Sequence, residues 1–330
     1  MNFHLRFVIA IALGVASTGA QAIAITATQD ASVLVNALLA GGSTGIVVTG
    51  STLNGHAQTV DLTNFNGSGS ATLTSSGTYT NLSGTYGIGP GVALTTGSVA
   101  GFTTPDQTLY GYSDGADHVD NNAWGYFDDP NVPVLAAATP AQELLLDPIT
   151  GDPVAQTFYD HFDVTELIIN FDMQAGVNTV AFNIVFGSEE WEEFRDSPYI
   201  DGFGMFLNGV NIAKVGGLPV NIKHPDMKPE LDQFLSPIAG TEIPGTELDG
   251  ILAPGRNPVL TFSGLVNPTG NELRFIVADT SDNVYDTTVY FSALTGVVPA
   301  PPAIWLLGTA VAGLFGRGFA KRRPQTADAT

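Results

Sequence analysis

The residues best suited to chemistry fall in two short runs. Phe186-Gly187-Ser188-Glu189-Glu190-Trp191-Glu192-Glu193-Phe194 places four carboxylates after an apolar stretch, with Asp196 and Asp201 following. Ala278-Asp279-Thr280-Ser281-Asp282-Asn283-Val284-Tyr285-Asp286 is a second acidic run between two apolar stretches. Carboxylates crowded in this way repel by roughly 1 kcal/mol per close pair in water, and by more where water is excluded. A hard cation with 6–8 oxygen ligands, such as calcium, offsets that repulsion and takes the ligand types present here. Glu189, Glu190, Asp201, Asp279, Asp282 and Asp286 are the candidate ligands. Neither run has EF-hand spacing, so solvated acidic loops account for the same composition and both readings stand at this point.

Two carboxylates at a defined separation are also what glycoside cleavage needs. Glu189 and Glu190 are adjacent, however, and neighbours on a strand point to opposite faces. They would have to sit on a turn, or work with Asp201 or Asp279. Other nucleophilic chemistry has less support. No Gly-x-Ser-x-Gly elbow occurs, Ser188 has no neighbouring His, and the chain has no Cys. The five histidines, His4, His56, His118, His161 and His224, lack metal-ligand spacing and read as loop or surface residues. Gly87-x-Gly89 precedes no helical pattern, so it forms no nucleotide cradle.

The 330 residues carry 11 Lys+Arg against 32 Asp+Glu, a net charge of −21. Such a field repels phosphate backbones and excludes a nucleic-acid partner. It favours cations. Without cysteine there are no disulfides and no thiolate metal sites.

The elements that must position the acidic runs read as strands. Leu167, Ile169, Phe171 and Met173 alternate with polar or outward positions, as do Val180, Phe182, Ile184 and Phe186, and Leu273, Phe275 and Val277. A new strand is expected near Phe203, and Val289 and Phe291 begin the last one. Gly, Pro, Asn and Asp punctuate these runs. The fold class expected is all-β, an antiparallel β-sandwich or jelly roll burying the inward residues of two sheets. Phe182, Ile184, Phe186, Leu273, Phe275 and Val277 should face one core. Ala31 to Ala40 is the one helical candidate within the body. The Ser/Thr/Gly-rich stretch 50–85 reads as strands with half-exposed Leu62, Phe65, Leu73, Tyr79 and Leu82. The segment 110–150 reads as a long excursion, with Tyr110, Tyr112, Trp124, Tyr126 and Phe127 either covering a core edge or stacking on sugar rings.

The ends read as addresses. Arg6, the apolar run Phe7 to Val15 and Ala20-Gln21-Ala22 mark residues 1–22 as a secretory signal helix. At the other end Val298-Pro299-Ala300-Pro301-Pro302 precedes an apolar helix, Ala303 to Phe315, then Arg317 and Lys321-Arg322-Arg323. That stretch is short for a span needing about 20 residues, and its basic cluster would stay cytoplasmic. The segment 298–323 resembles a PEP-CTERM sorting signal, with Val298, Pro299, Pro301, Arg322 and Arg323 as its recognisable positions and Ala300 where Glu is usual. The resemblance implies an exosortase as processing partner, transient membrane anchoring, and a bacterial surface that carries exopolysaccharide. The expected division is signal 1–22, β-sandwich 23–297 and sorting segment 298–330.

Within the body, FNIVFGSEEWEEF (182–194) followed by DGFGMFLNGVNIA (201–213) resembles the hallmark of the choice-of-anchor L domain. LRFIVADTSDNVYDTTVYFSA (273–293) resembles its closing motif, and Gly87 to Gly97 its Gly-rich first strand. Trp191 stands where Tyr is usual and Thr287 where Ser is common. The resemblance implies an extracytoplasmic β-sandwich and no assigned activity. The expected function is a secreted, sorted surface or matrix protein with a structural or adhesive role, stabilised by calcium and associated with exopolysaccharide. The alternative is a carboxylate-dependent hydrolase of that polysaccharide.

Overall fold

The computed structural model describes residues 24–40, 45–61, 70–80, 88–99, 137–151, 157–188, 190–192, 194–229, 250–281 and 286–297. The signal segment, the sorting residues Val298, Pro299, Pro301, Arg322 and Arg323, and the aromatic group Tyr110 to Phe127 lie outside them. Among the described residues no helix is long and apolar enough to cross a membrane.

In chain order the elements are β1 (Ala24–Ala27), α1 (Ala31–Leu39), β2 (Ile46–Asn54), β3 (Ala57–Asp61), β4 (Ser70–Thr74), β5 (Ser76–Thr80) and β6 (Gly91–Thr95). Then come α2 (Pro140–Thr150), β7 (His161–Met173), β8 (Thr179–Ser188), β9 (Gly202–Leu207), β10 (Val210–Asn211), β11 (Lys214–Val215) and β12 (Leu218–Asn221). The last are β13 (Met227–Pro229), β14 (Gly250–Leu252), β15 (Leu260–Leu265), β16 (Asn271–Thr280) and β17 (Thr287–Val297). One antiparallel sheet runs β1-β5-β6-β17-β8-β14-β13, with β15 also on β8. The other runs β11-β12-β9-β16-β7-β2, with β10 on β9. A separate hairpin joins β3 to β4.

The two large sheets pack face to face, as the strand alternation requires. Phe275 on β16 meets Phe182 on β8 at 5.9 Å and Phe291 on β17 at 4.6 Å between ring centroids. Phe203 on β9 meets Phe291 at 5.6 Å. All six residues expected to face one core belong to this cluster, together with Leu34, Val35 and Leu38 of α1. Asp30 caps α1, its carboxylate accepting from Ser32 N at 2.8 Å. Gly91 is required where β6 crosses β17, because a Cβ there would fall 1.7 Å from the Phe291 carbonyl oxygen.

Three expectations need correction. The excursion 110–150 ends in a helix, α2, opened by a capping box between Thr139 and Gln142. Leu146 and Ile149 of α2 cover Val164, Phe206, Ile276 and Ala278 on the outer face of the β9-β16-β7 sheet. Tyr79 is buried rather than half-exposed. It packs edge-on to Tyr290 and donates to the Phe291 carbonyl at 3.3 Å. His161 and His224 are buried too, not surface residues. The stretch 50–85 does form strands where it is described, with Leu62, Phe65 and Leu82 outside those residues.

Candidate functional site: a buried carboxylate cluster

The two acidic runs meet where β16 ends and β9 begins. Ala278 pairs with Gly202, so Asp279 and Asp201 follow as neighbours across adjacent strands. Thr280 N donates to Asp201 Oδ1 at 3.0 Å, and the Thr280 hydroxyl donates to the Ile200 carbonyl at 2.8 Å. From the facing sheet, the Thr287 hydroxyl donates to Asp201 Oδ2 at 2.8 Å. Asp286 immediately precedes β17 and accepts at Oδ1 from the Thr96 hydroxyl at 3.2 Å. Thr96 is itself held by Thr287, whose N–H donates to Thr96 Oγ1 at 3.0 Å.

A fourth carboxylate arrives from β7, and sequence reading did not single it out. Val277 pairs with Thr165 but Asp279 pairs with Phe162, so two residues of β7, Val164 and Asp163, stand against Ala278. Asp163 takes a left-handed backbone, φ 49°, at this bulge. Bulges re-aim side chains, and they concentrate beside functional sites. The signal was present in the strand pattern: Asp163 and Thr165 continue the parity of Leu167, Ile169 and Phe171, and so place polar groups in line with the core-facing set.

Asp163, Asp201, Asp279 and Asp286 all have 0% exposure. Burial pushes the Asp279 carboxyl well above its ordinary value, and the charges of Asp201, Asp163 and Asp286 push it further. Both Asp279 oxygens are enclosed and accept no hydrogen bond. The Thr96 hydroxyl lies near enough to offset the shift slightly, but its one proton goes to Asp286. A buried acceptor left without a donor is strongly disfavoured unless something else satisfies it.

Of the six residues predicted as ligands, Asp201, Asp279 and Asp286 are brought together here. Glu190 is buried on the same rim, its N–H donating to Ser188 Oγ at 3.1 Å, and Ser188 pairs with Thr287. Glu189 and Asp282 lie outside the described residues. Asp279 and Asp201 stand at strand ends rather than in exposed loops, so the solvated-loop reading fails for them. Trp191 closes over this edge, its side chain packed against Gly250 of β14, where an added Cβ would fall 2.5 Å from the Trp191 Cβ and 2.6 Å from its ring.

A family model for the choice-of-anchor L domain matches residues 25–295. The chain belongs to the choice-of-anchor L family. No curated protein and no solved structure matches it. Membership marks a cell-surface or secreted protein. In this choice-of-anchor L domain, both motif runs supply carboxylates to the cluster, and the Gly-rich run carries β6 and Thr96 to it.

Proposed function

We propose that this choice-of-anchor L protein is a structural or adhesive component of the cell surface or extracellular matrix, and that calcium bound by Asp163, Asp201, Asp279 and Asp286 locks its two sheets together. The observation that carries the reading is Asp279, wholly buried, with neither oxygen hydrogen-bonded and three further carboxylates around it. A calcium ion supplies the missing partner and neutralises the mutual repulsion. Extracellular calcium modules bind at about 0.1–1 mM, so the ion would act as a marker of arrival outside the cell. Delivery through the signal segment, exosortase processing near Val298–Pro302 and association with exopolysaccharide complete the reading, and rest on the sequence alone. An enclosed convergence of carboxylates suits a cation better than a hydrolase, whose two carboxylates must flank a substrate in an open cleft.

The test is a thermal melt of wild type and Asp279→Asn, each in calcium and in chelator. Calcium should raise the wild-type melting temperature, by the equivalent of about 2.7 kcal/mol at a hundredfold excess over Kd. Asp279→Asn should abolish the rise and leave the chelated melt unchanged or higher. An equal calcium response in both proteins overturns the assignment.

A further inference from the structure

A second group of ligand atoms lies outside this cluster, where α2 rests on β7. We propose that Glu143, Asp147 and His161 form a site for a divalent transition-metal ion of the zinc class. Glu143 and Asp147 are four residues apart and share one face of α2. His161 opens β7 with its ring fully buried. One ligand atom from each of the three lies within 4.8 Å of the others. A tetrahedral zinc ion holds its nitrogen and oxygen ligands about 3.3 Å apart, so small rotations of two carboxylate side chains complete the geometry.

His161 is hydrogen-bonded through both ring nitrogens: Nε2 lies 2.7 Å from Thr150 Oγ1, and Nδ1 lies 2.5 Å from Glu143 Oε2. A carboxylate accepts, so Nδ1–H donates to Glu143. A metal ion would take the place of that proton, leaving Nε2–H to donate to the Thr150 hydroxyl. Glu143 is also tied to the strand, its Oε1 accepting from His161 N at 3.1 Å. The Thr150–His161 bond is the outer-shell contact that fixes tautomer and ring orientation in histidine metal sites. Glu143 is 25% exposed on its side chain, so an ion can enter from solvent.

The experiment uses the full chain in saturating calcium, so that zinc uptake is read apart from the carboxylate cluster. Wild type should bind one further zinc ion by calorimetry, and cobalt at the same site should give visible absorption of the tetrahedral kind. Asp147→Asn, on the half-exposed face of α2, should weaken zinc by at least tenfold with the fold intact. Thr150→Val should weaken it by about 10–100-fold, the range for outer-shell partners. Asp279→Asn should bind zinc as wild type does, even if the calcium reading fails. Absence of zinc uptake by wild type would reduce the group to a His161–Glu143 ion pair and overturn the proposal. Undiminished zinc binding in Asp147→Asn would overturn it as well.

Discussion

The hydrogen bond from Thr287 Oγ1 to Asp201 Oδ2, 2.8 Å long, joins the two sheets at their acidic end. Thr287 begins β17 of one sheet, and Asp201 immediately precedes β9 of the other. Opening the sandwich here would therefore expose Asp201 together with the carboxylates it neighbours. The contact between the sheets and the proposed calcium site share the same few atoms.

That coupling predicts a pH dependence of reversed sign with and without calcium. The folded pKa of Asp279 is raised above the ordinary 3.8. Between the two values the folded chain holds a proton that the unfolded chain has lost. In chelator, stability should rise as pH falls through that window and be lost as pH climbs. In saturating calcium it should fall with falling pH, because protons compete with the metal. Urea melts from pH 4 to 8, taken as the difference between wild type and Asp279→Asn, read the effect directly. A flat difference in chelator would show that Asp279 ionises as freely folded as unfolded.

Phe275 links β16 to both β8 and β17 through Phe182 and Phe291. Phe275→Ala should lower stability by about 3–5 kcal/mol, while Phe275→Leu should cost much less. Chemical denaturation of the two variants separates a loss of volume from a change of shape. Near-equal losses would mean that ring geometry, not the void, dominates.

Gly91 and Gly176 are predicted to differ sharply. A Cβ on Gly91 meets the Phe291 backbone, which cannot swing aside. Gly176, at φ +89°, has nothing within 4 Å. Gly91→Ala should fail to yield folded protein. Gly176→Ala should fold and lose on the order of 1 kcal/mol from its left-handed backbone. Soluble yield and circular dichroism decide both.

Arg274 contacts Glu166 Oε1 at 2.7 Å on the floor of a cleft of about 380 Å³ lined also by Asn54, His56, Gln142 and Val164. Asn54 and Gln142 donate to the other oxygen of Glu166 at 2.7 and 3.3 Å. Arg274→Met should cost about 3 kcal/mol, the lower end for breaking a buried pair, because those two donors remain. Adding Glu166→Gln should recover part of the loss. A double variant worse than the single one would show that the carboxylate is held mainly by Asn54 and Gln142.

The core was legible because strand alternation is a local signal. Leu167 to Phe171, Phe182 to Phe186 and Leu273 to Val277 each declare their buried face without reference to partners. Asp201, Asp279 and Asp286 stood out by crowding, but their burial did not, since a carboxylate at a strand end and one in a loop read alike. Asp163 was hidden by the bulge: whether a polar residue on the apolar parity turns inward depends on register with β16, which is a long-range property. The second helix was masked by Pro148, which sits in its last turn and so interrupts little. The Glu143–Asp147–His161 group needed that helix to be placed before its spacing could mean anything.

The position of β17 carries a mechanical consequence. It runs for eleven residues along β8, from Thr287 at the acidic end to Val297 at the opposite one, roughly 33 Å away by strand rise, and Thr288 to Ser292 also pair with β6. Hydrogen bonds of an antiparallel pair lie across the strands. Tension entering at Val297 is directed along β17 and strains its bonds to β8 in shear, with those to β6 sharing the load from Ser292 inward, instead of peeling them in sequence. A chain pulled from that point holds by a strand whose first six residues are buried, and the far end of that strand is pinned at Thr287 beside Asp201.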